Sequence, residues 1–289
     1  MKVLIIGSGG RLGAALVRAY REQFDVRGFT HSEIDLGDFD EVEQVVGKLE
    51  TDVMINCAAV TNVDLCEEQA DEAFRVNASA PELLAQICHD KGARFIHFST
   101  DYVFDGGKNI PYTEEDEAAP ISIYGESKRE GEENVLSLDE RNLVVRVSWV
   151  FGPERSSFVD NVIDRARNNE KVDAVGDKFS TPTYTADIAA MLPRFFPADV
   201  GGILHFANEG ECSWQQYAQH ALDCCQEMGV PLKATTVDAL KLSDMQSFVA
   251  RRPVYTVLST ARYAEITGQA PRSWRDAVAE YVKDSYSKK

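Results

Sequence analysis

The stretch that most restricts the fold of this chain is its N-terminus. Lys2 to Ile6 is a short apolar, β-branched run that passes without a spacer into Gly7-Ser8-Gly9-Gly10-Arg11-Leu12-Gly13, after which Leu16, Val17 and Tyr20 recur at helical spacing. A short run that is apolar at every position suits a strand buried on both faces, as in a parallel sheet. Strand, glycine loop and helix in that order make a phosphate cradle. The glycines allow a tight turn and close approach of a pyrophosphate, and the N-terminus of the helix faces it with free backbone N–H groups. The expectation is a doubly wound, Rossmann-type α/β fold with Gly7, Gly10, Arg11, Leu12 and Gly13 at a dinucleotide.

The glycine spacing is GxxGxxG, which points toward the short-chain dehydrogenase/reductase superfamily. Asp25 to Thr30 reads as the next strand, at the distance a βαβ unit requires. NAD sites commonly place an acid near the end of this strand for the ribose 2′-OH, and NADP sites supply an arginine for the 2′-phosphate. The strand ends in Thr30-His31-Ser32 and Arg11 lies in the loop, which favours NADPH, while Glu33 leaves NADH open. Phe39 to Leu49 reads as a helix with Val42, Val45, Val46 and Leu49 inward. Asp52 to Cys57 is a third strand, and the small residues Ala58 and Ala59 after it would let the cofactor backbone pass close. A helical region from about Glu67 to Lys91 contains Pro81, expected to kink or restart it.

Arg94 to Phe98 is the fourth strand, followed by Ser99-Thr100-Asp101 at its carboxyl end, where ligands of doubly wound sheets sit. Downstream, Tyr124 and Lys128 stand four residues apart on a predicted helix and so project from one face. A cation beside a phenol stabilises its anion and makes it a better general acid. Taken alone, the pair also fits a half-exposed helix, and Ser99-Thr100-Asp101 also fits a strand-end turn.

The run Phe98-Ser99-Thr100-Asp101-Tyr102-Val103-Phe104-Asp105-Gly106, then Pro111-Tyr112-Thr113-Glu114, Tyr124-Gly125-Glu126-Ser127-Lys128 and Gly131-Glu132, closely resembles the dTDP-4-dehydrorhamnose reductase family of the extended short-chain dehydrogenases/reductases. The likeness extends through Arg146 to Gly152, Pro182-Thr183 with Asp187-Ile188-Ala189, Trp214 to Ala218, and Arg251-Arg252-Pro253. It implies a catalytic trio of Thr100, Tyr124 and Lys128, with Ser99 assisting. It places Asp35 and Leu36 at the adenine, Lys128 also at the nicotinamide ribose, and Trp149 and Arg252 at the nucleotide-sugar. The implied reaction is NADPH-dependent reduction of the C4 ketone of a nucleotide-linked 6-deoxy-4-keto sugar, dTDP-4-dehydrorhamnose to dTDP-L-rhamnose. Two departures from the family pattern, Asp177-Lys178-Phe179-Ser180-Thr181 and Val254-Tyr255-Thr256, fall in the expected substrate lobe and bear on substrate rather than hydride chemistry. A regulatory subunit of methionine adenosyltransferase and a nucleotide-sugar epimerase or dehydratase share parts of the same framework and stay open at this point.

The rest of the chain agrees with such an enzyme. Its 289 residues accommodate a dinucleotide-binding domain over 1–150, completed by a segment near 183–208, and a smaller, mostly helical substrate lobe within 151–289. A net charge of −17 without a basic run argues against nucleic acid or membrane partners. Six cysteines form no CxxC pair and five histidines no metal motif, so no metal is expected. The opening apolar run is too short for a signal peptide or membrane span, and a cytoplasmic location is expected. Homodimerisation is left open.

Overall fold

The computed structural model describes residues 1–197 and 199–286. The chain opens with β1 (Lys2–Ile6), α1 (Arg11–Tyr20), β2 (Asp25–Phe29), α2 (Phe39–Val46) and β3 (Val53–Asn56). Next come α3 (Val63–Glu68), α4 (Ala70–Phe74), a π-helical turn (Arg75–Ser79), α5 (Ala80–Lys91) and β4 (Arg94–Thr100), then α6 (Ile123–Leu138), β5 (Leu143–Val147), β6 (Val150–Phe151) and α7 (Phe158–Asn168). The chain continues through β7 (Val172–Val175), β8 (Phe179–Ser180), β9 (Thr183–Tyr184), α8 (Thr185–Met191), β10 (Gly202–His205), β11 (Cys212–Ser213) and α9 (Trp214–Glu227), and it closes with β12 (Val237–Leu240), α10 (Ala261–Thr267) and α11 (Trp274–Tyr286).

Six strands form one sheet in the order β10-β5-β4-β3-β1-β2, with every neighbouring pair parallel. Alternation along the strands divides the apolar runs between two cores. Val3, Ile5, Val53, Ile55, Ile96 and Val145 meet Leu16 and Tyr20 of α1 and Ile188 of α8 on one face. Leu4, Ile6, Met54, Phe95 and Val144 meet Val42, Val46, Leu84 and Val135 of α2, α5 and α6 on the other. Burying both faces explains why the strands carry no polar alternation. Each such side chain contributes roughly 1.5–3 kcal/mol relative to exposure. This is the doubly wound, Rossmann-type sheet expected, and its strand order reverses between β1 and β3.

A separate core holds α7, α9 and α11 together through Val159, Ile163, Tyr217, Leu222, Trp274 and Val278. This lobe is mostly helical, with three two-stranded ladders, β11 with β8, β12 with β7 and β6 with β9.

The helical region before β4 is broken at Pro81, as expected. Pro81 sits in the first turn of α5 and lacks the N–H that would bond the carbonyl of residue 77, and the π-helical turn lies immediately before it. The structure departs from the sequence expectations at the end of the fourth strand. The fourth strand runs on to Thr100, so Ser99 and Thr100 are its last residues rather than a following turn. The fifth strand stops at Val147 because Trp149 has φ +39°, a left-handed conformation that a strand does not continue through, and Val150–Phe151 then pairs with Thr183–Tyr184.

Candidate active site

A cleft of about 1280 Å³ opens at the carboxyl ends of β1, β3 and β4, and it extends to the helical lobe. Its volume exceeds the ~300–1,000 Å³ of an ordinary small-molecule pocket and suits a dinucleotide with a second ligand. At one end Gly7, Gly10, Arg11 and Leu12 line it with Ala58 and Ala59 opposite. Gly7 has φ +81°, and a Cβ there would lie 2.7 Å from the Ala58 nitrogen, so only glycine lets the two loops approach. The N-cap of α1 is Gly10, and no side chain caps the helix. Its first-turn N–H groups therefore suit a phosphate, and the residues present fit a dinucleotide cofactor. Gly13 does not line the cleft. Instead it faces the Gly7 carbonyl, tightening the turn.

Asp35 and Leu36 line the far end of the cleft with Thr30, His31 and Ser32. Glu33 turns back on the strand end, its carboxylate accepting from the Thr30 N–H at 2.9 Å and the Thr30 hydroxyl at 2.8 Å. Arg11 donates to the carbonyls of Val150 at 3.0 Å, Ser156 at 2.6 Å and Arg155 at 3.3 Å. Its guanidinium thus ties the glycine loop to β6 and the segment after it, a role its position in the sequence did not suggest. The loop after β3 is fixed by Asn77, which accepts from the Val60 N–H at 2.9 Å and donates to the Val60 carbonyl at 3.1 Å and to the Ser127 hydroxyl at 3.1 Å.

Ser99, Thr100, Tyr124 and Lys128 converge on the middle of the cleft. Ser122 caps α6 by accepting from the Gly125 N–H at 3.2 Å. A Cβ on Gly125 would lie 2.3 Å from the Tyr102 carbonyl, so this glycine lets α6 close on the turn after β4 and bring Tyr124 to Thr100. Burial raises the Tyr124 phenol above its ordinary value; hydrogen bonding from Thr100 opposes the shift and Asp101 adds to it. A lowered phenol was expected from the lysine, but desolvation wins here. Lys128 Nζ turns toward β4, 2.7 Å from the Phe98 carbonyl and 3.0 Å from His97 Nε2. Burial lowers Lys128 to about 8, against the Glu132 carboxylate and Cys57.

Behind Thr100 lies a group that was read in the sequence as a matter for the substrate lobe alone. Buried Asp101 accepts from Thr256 at 2.5 Å, Ser180 at 3.0 Å and Thr100 at 3.2 Å. Lys178, fully buried, donates to the Pro253 carbonyl at 2.5 Å and lies 5.0 Å from the centroid of the Tyr102 ring. Burial raises Asp101 and lowers Lys178 to about 8, while each charge opposes the shift of the other. The two departures from the family pattern therefore meet at the residue that orients the Thr100 hydroxyl. The expectation that they stay clear of the reacting centre is corrected by this contact.

Toward the helical lobe, Trp149, Phe158, Trp214 and Tyr217 form an aromatic wall, with Trp149 and Phe158 each stacked on Tyr217. Ser99 Oγ, Trp149 Nε1 and the Tyr217 hydroxyl are buried without a partner. Such groups are costly unless something bonds them. Tyr217 falls within the Trp214-to-Ala218 likeness, whereas nothing in the sequence marks Phe158 as a cleft residue. Arg252 does not reach the cleft. Its guanidinium makes a two-point bond to Asp64 at 2.7 Å and 2.7 Å and lies 4.2 Å from the centroid of the Phe248 ring, pinning the C-terminal segment to α3.

The family model described as RmlD substrate binding domain matches residues 1–287. The dTDP-4-dehydrorhamnose reductase of Mycobacterium tuberculosis (strain H37Rv) is 38% identical over 96% of this chain and 91% of its own length. The spore coat polysaccharide biosynthesis protein SpsK of Bacillus subtilis (strain 168) is 34% identical over 99% of this chain and 98% of its own. The crystal structure of dTDP-4-dehydrorhamnose reductase from Bacillus anthracis str. Ames, in complex with NADP, superposes with a TM-score of 0.92 at 30% identity, covering 98% of this chain and 99% of that one. A parallel sheet with an uncapped glycine turn, a cleft that gathers Thr100, Tyr124 and Lys128, and likeness over nearly the whole length agree: the chain belongs to the dTDP-4-dehydrorhamnose reductase family of extended short-chain dehydrogenases/reductases.

Proposed function

We propose that this protein is an NADPH-dependent reductase of the C4 ketone of a dTDP-linked 6-deoxy-4-keto sugar, forming dTDP-L-rhamnose from dTDP-4-dehydrorhamnose, with NADH as a second cofactor. The observation that carries the reading is the placement of Thr100 and Tyr124 together at the carboxyl end of β4, in one cleft with Lys128 and the glycine turn. When bound, the nicotinamide supplies the hydride. Tyr124 then gives its proton to the developing alkoxide, and Thr100 turns its one hydroxyl proton from Asp101 to the carbonyl oxygen and steers it to the phenol. Lys128, its Nζ buried against β4, holds the ribose hydroxyls one helical turn from the phenol. Asp35 and Leu36 take the adenine end, with Gly7, Gly10, Leu12, Ala58 and Ala59 along the diphosphate. Ser99, Trp149 and Tyr217 offer their unpartnered polar atoms to the nucleotide-sugar. Arg252 acts on that site only indirectly, by fixing the segment 249–253 through Asp64. The lack of any helix long and apolar enough to cross a membrane among the described residues accords with an enzyme of cytoplasmic sugar-nucleotide synthesis.

The test is NADPH oxidation with a panel of dTDP-4-keto sugars. The expected result is turnover with at least one of them, and a loss of ~10²- to 10⁴-fold in kcat in Tyr124→Phe with the fold retained. Full activity in that variant removes Tyr124 as the acid. No turnover with any sugar, together with tight binding to a methionine adenosyltransferase, favours the regulatory reading instead.

A further inference from the structure

Behind the tyrosine–lysine pair runs a buried line of three side chains from three elements, Asn56 at the end of β3, His97 in β4 and Lys128 on α6, none more than 1% exposed. Its pattern of protons is set by one group that cannot change. The Ala58 backbone N–H donates to Asn56 Oδ1 at 3.0 Å. With that oxygen committed, Asn56 turns Nδ2 toward His97 Nδ1 at 3.1 Å. An amide NH₂ only donates, so Nδ1 carries the lone pair and a neutral ring holds its proton on Nε2. That Nε2–H faces Lys128 Nζ at 3.0 Å. An ammonium has three donors and no acceptor, and would meet the ring N–H donor to donor. A neutral amine accepts from Nε2–H through its lone pair and still donates to the Phe98 carbonyl at 2.7 Å.

We propose that Asn56 and His97 are positioning residues that lock the Nε2–H tautomer and so hold Lys128 toward its neutral amine form. The reductase reading supplies the consequence, since it makes Lys128 the partner of Tyr124; the tautomer itself follows from geometry alone. Forming the ammonium breaks one buried hydrogen bond whichever tautomer the ring adopts, because moving the proton to Nδ1 sets it against Asn56 Nδ2. The other groups around Lys128 pull both ways. The Glu132 carboxylate on the same helix raises it and is itself held by two bonds from Arg146 of β5, at 2.8 Å and 2.6 Å. Cys57, just past β3, is kept a thiol by burial, and Tyr124, one turn back on α6, is kept a phenol. Burial is the largest influence on Lys128 and brings it to about 8, and burial with Lys128 nearby holds His97 well below its ordinary value, so the ring is neutral as the line requires.

Two NMR readouts on the full-length protein without added nucleotide test this, and neither needs substrate. In protein labelled with ¹⁵N-histidine, the His97 resonances, identified by their loss in His97→Phe, should show the Nε2–H tautomer at about pH 9, above the value of about 8 to which Lys128 is lowered and where the amine is neutral. In protein labelled with ¹³Cε-lysine, the Lys128 resonance should titrate about one pH unit or more higher in His97→Phe, which removes the opposing N–H without adding charge. Asn56→Asp keeps an acceptor for the Ala58 N–H but now accepts from Nδ1–H, and should move the ring to the other tautomer. A wild-type ring protonated on Nδ1 or on both nitrogens overturns the proposal even where a variant fails to fold, and so does a Lys128 titration unmoved in His97→Phe. A failed reductase assay would leave these resonances as they are, and a wrong tautomer would leave the reductase reading standing.

Discussion

Lys178→Met tests whether the pair behind Thr100 is held by charge. Both partners are buried, with Asp101 2% exposed and Lys178 0%. Methionine keeps the length of the stem but removes the ammonium, leaving a buried carboxylate with three hydroxyl donors and no cation. Removing the cation that opposes the raised pKa of this buried carboxyl should destabilise the fold and lower Tm, with the largest loss where Asp101 is ionised. The sign of the pH dependence follows from Asp101. Its folded-state pKa lies above its unfolded value, so the native state favours the protonated acid, and that contribution is lost as pH rises through the folded value. Losing Lys178 raises the folded value further. The variant should therefore lose most stability near pH 8 and distinctly less near pH 5, with each unit of added shift worth about 1.4 kcal/mol. Urea unfolding at both pH values reads this directly. The double variant Lys178→Met with Asp101→Asn should recover most of the loss, because it leaves no unpaired charge. An equal loss at both pH values, or no recovery in the double variant, would mean that Lys178 acts through packing and the Pro253 carbonyl rather than through Asp101.

Three further outcomes are expected. Gly125→Ala sets a methyl 2.3 Å from the Tyr102 carbonyl, so α6 must shift; a loss of ~1–3 kcal/mol in unfolding should accompany a fall in kcat, and an unchanged kcat would contradict the close approach. Tyr217→Phe deletes a buried hydroxyl without a partner, so the protein should keep its stability or gain up to ~1 kcal/mol while KM for the nucleotide-sugar rises at constant kcat; an unchanged KM would separate this hydroxyl from the substrate. Arg252→Ala frees Asp64, whose carboxyl is held down to about 2 by hydrogen bonding from Arg252 with help from the Ala250 and Val249 N–H groups. A depressed carboxyl stabilises above its unfolded value near ~4 and loses that contribution as pH falls through the folded one, so the variant should trail the wild type by on the order of 1 kcal/mol at neutral pH, and the gap should close toward about pH 2. A gap that persists there would assign the effect to the Phe248 stacking.

Local chemistry determined much of this protein from sequence alone. The apolar run into Gly7, the period of α1 and the spacing of Tyr124 and Lys128 are short-range patterns, and each strand and helix they predict is present because both faces of a parallel sheet must be buried. The cofactor end of the cleft was legible for the same reason: a glycine turn between a strand and a helix has few other uses. What the sequence left open lies in contacts between distant segments. Asp101 meets Ser180 and Thr256 across 79 and 155 residues, and Arg252 meets Asp64 across 188, so no local pattern records them. The tertiary structure likewise decided the state of the central pair. Spacing put a lysine one turn from a tyrosine and suggested a lowered phenol, whereas burial among β3, β4 and α6 raises Tyr124 and turns Lys128 to His97. The strength of a charge depends on the solvent removed from around it, and only the folded chain sets that.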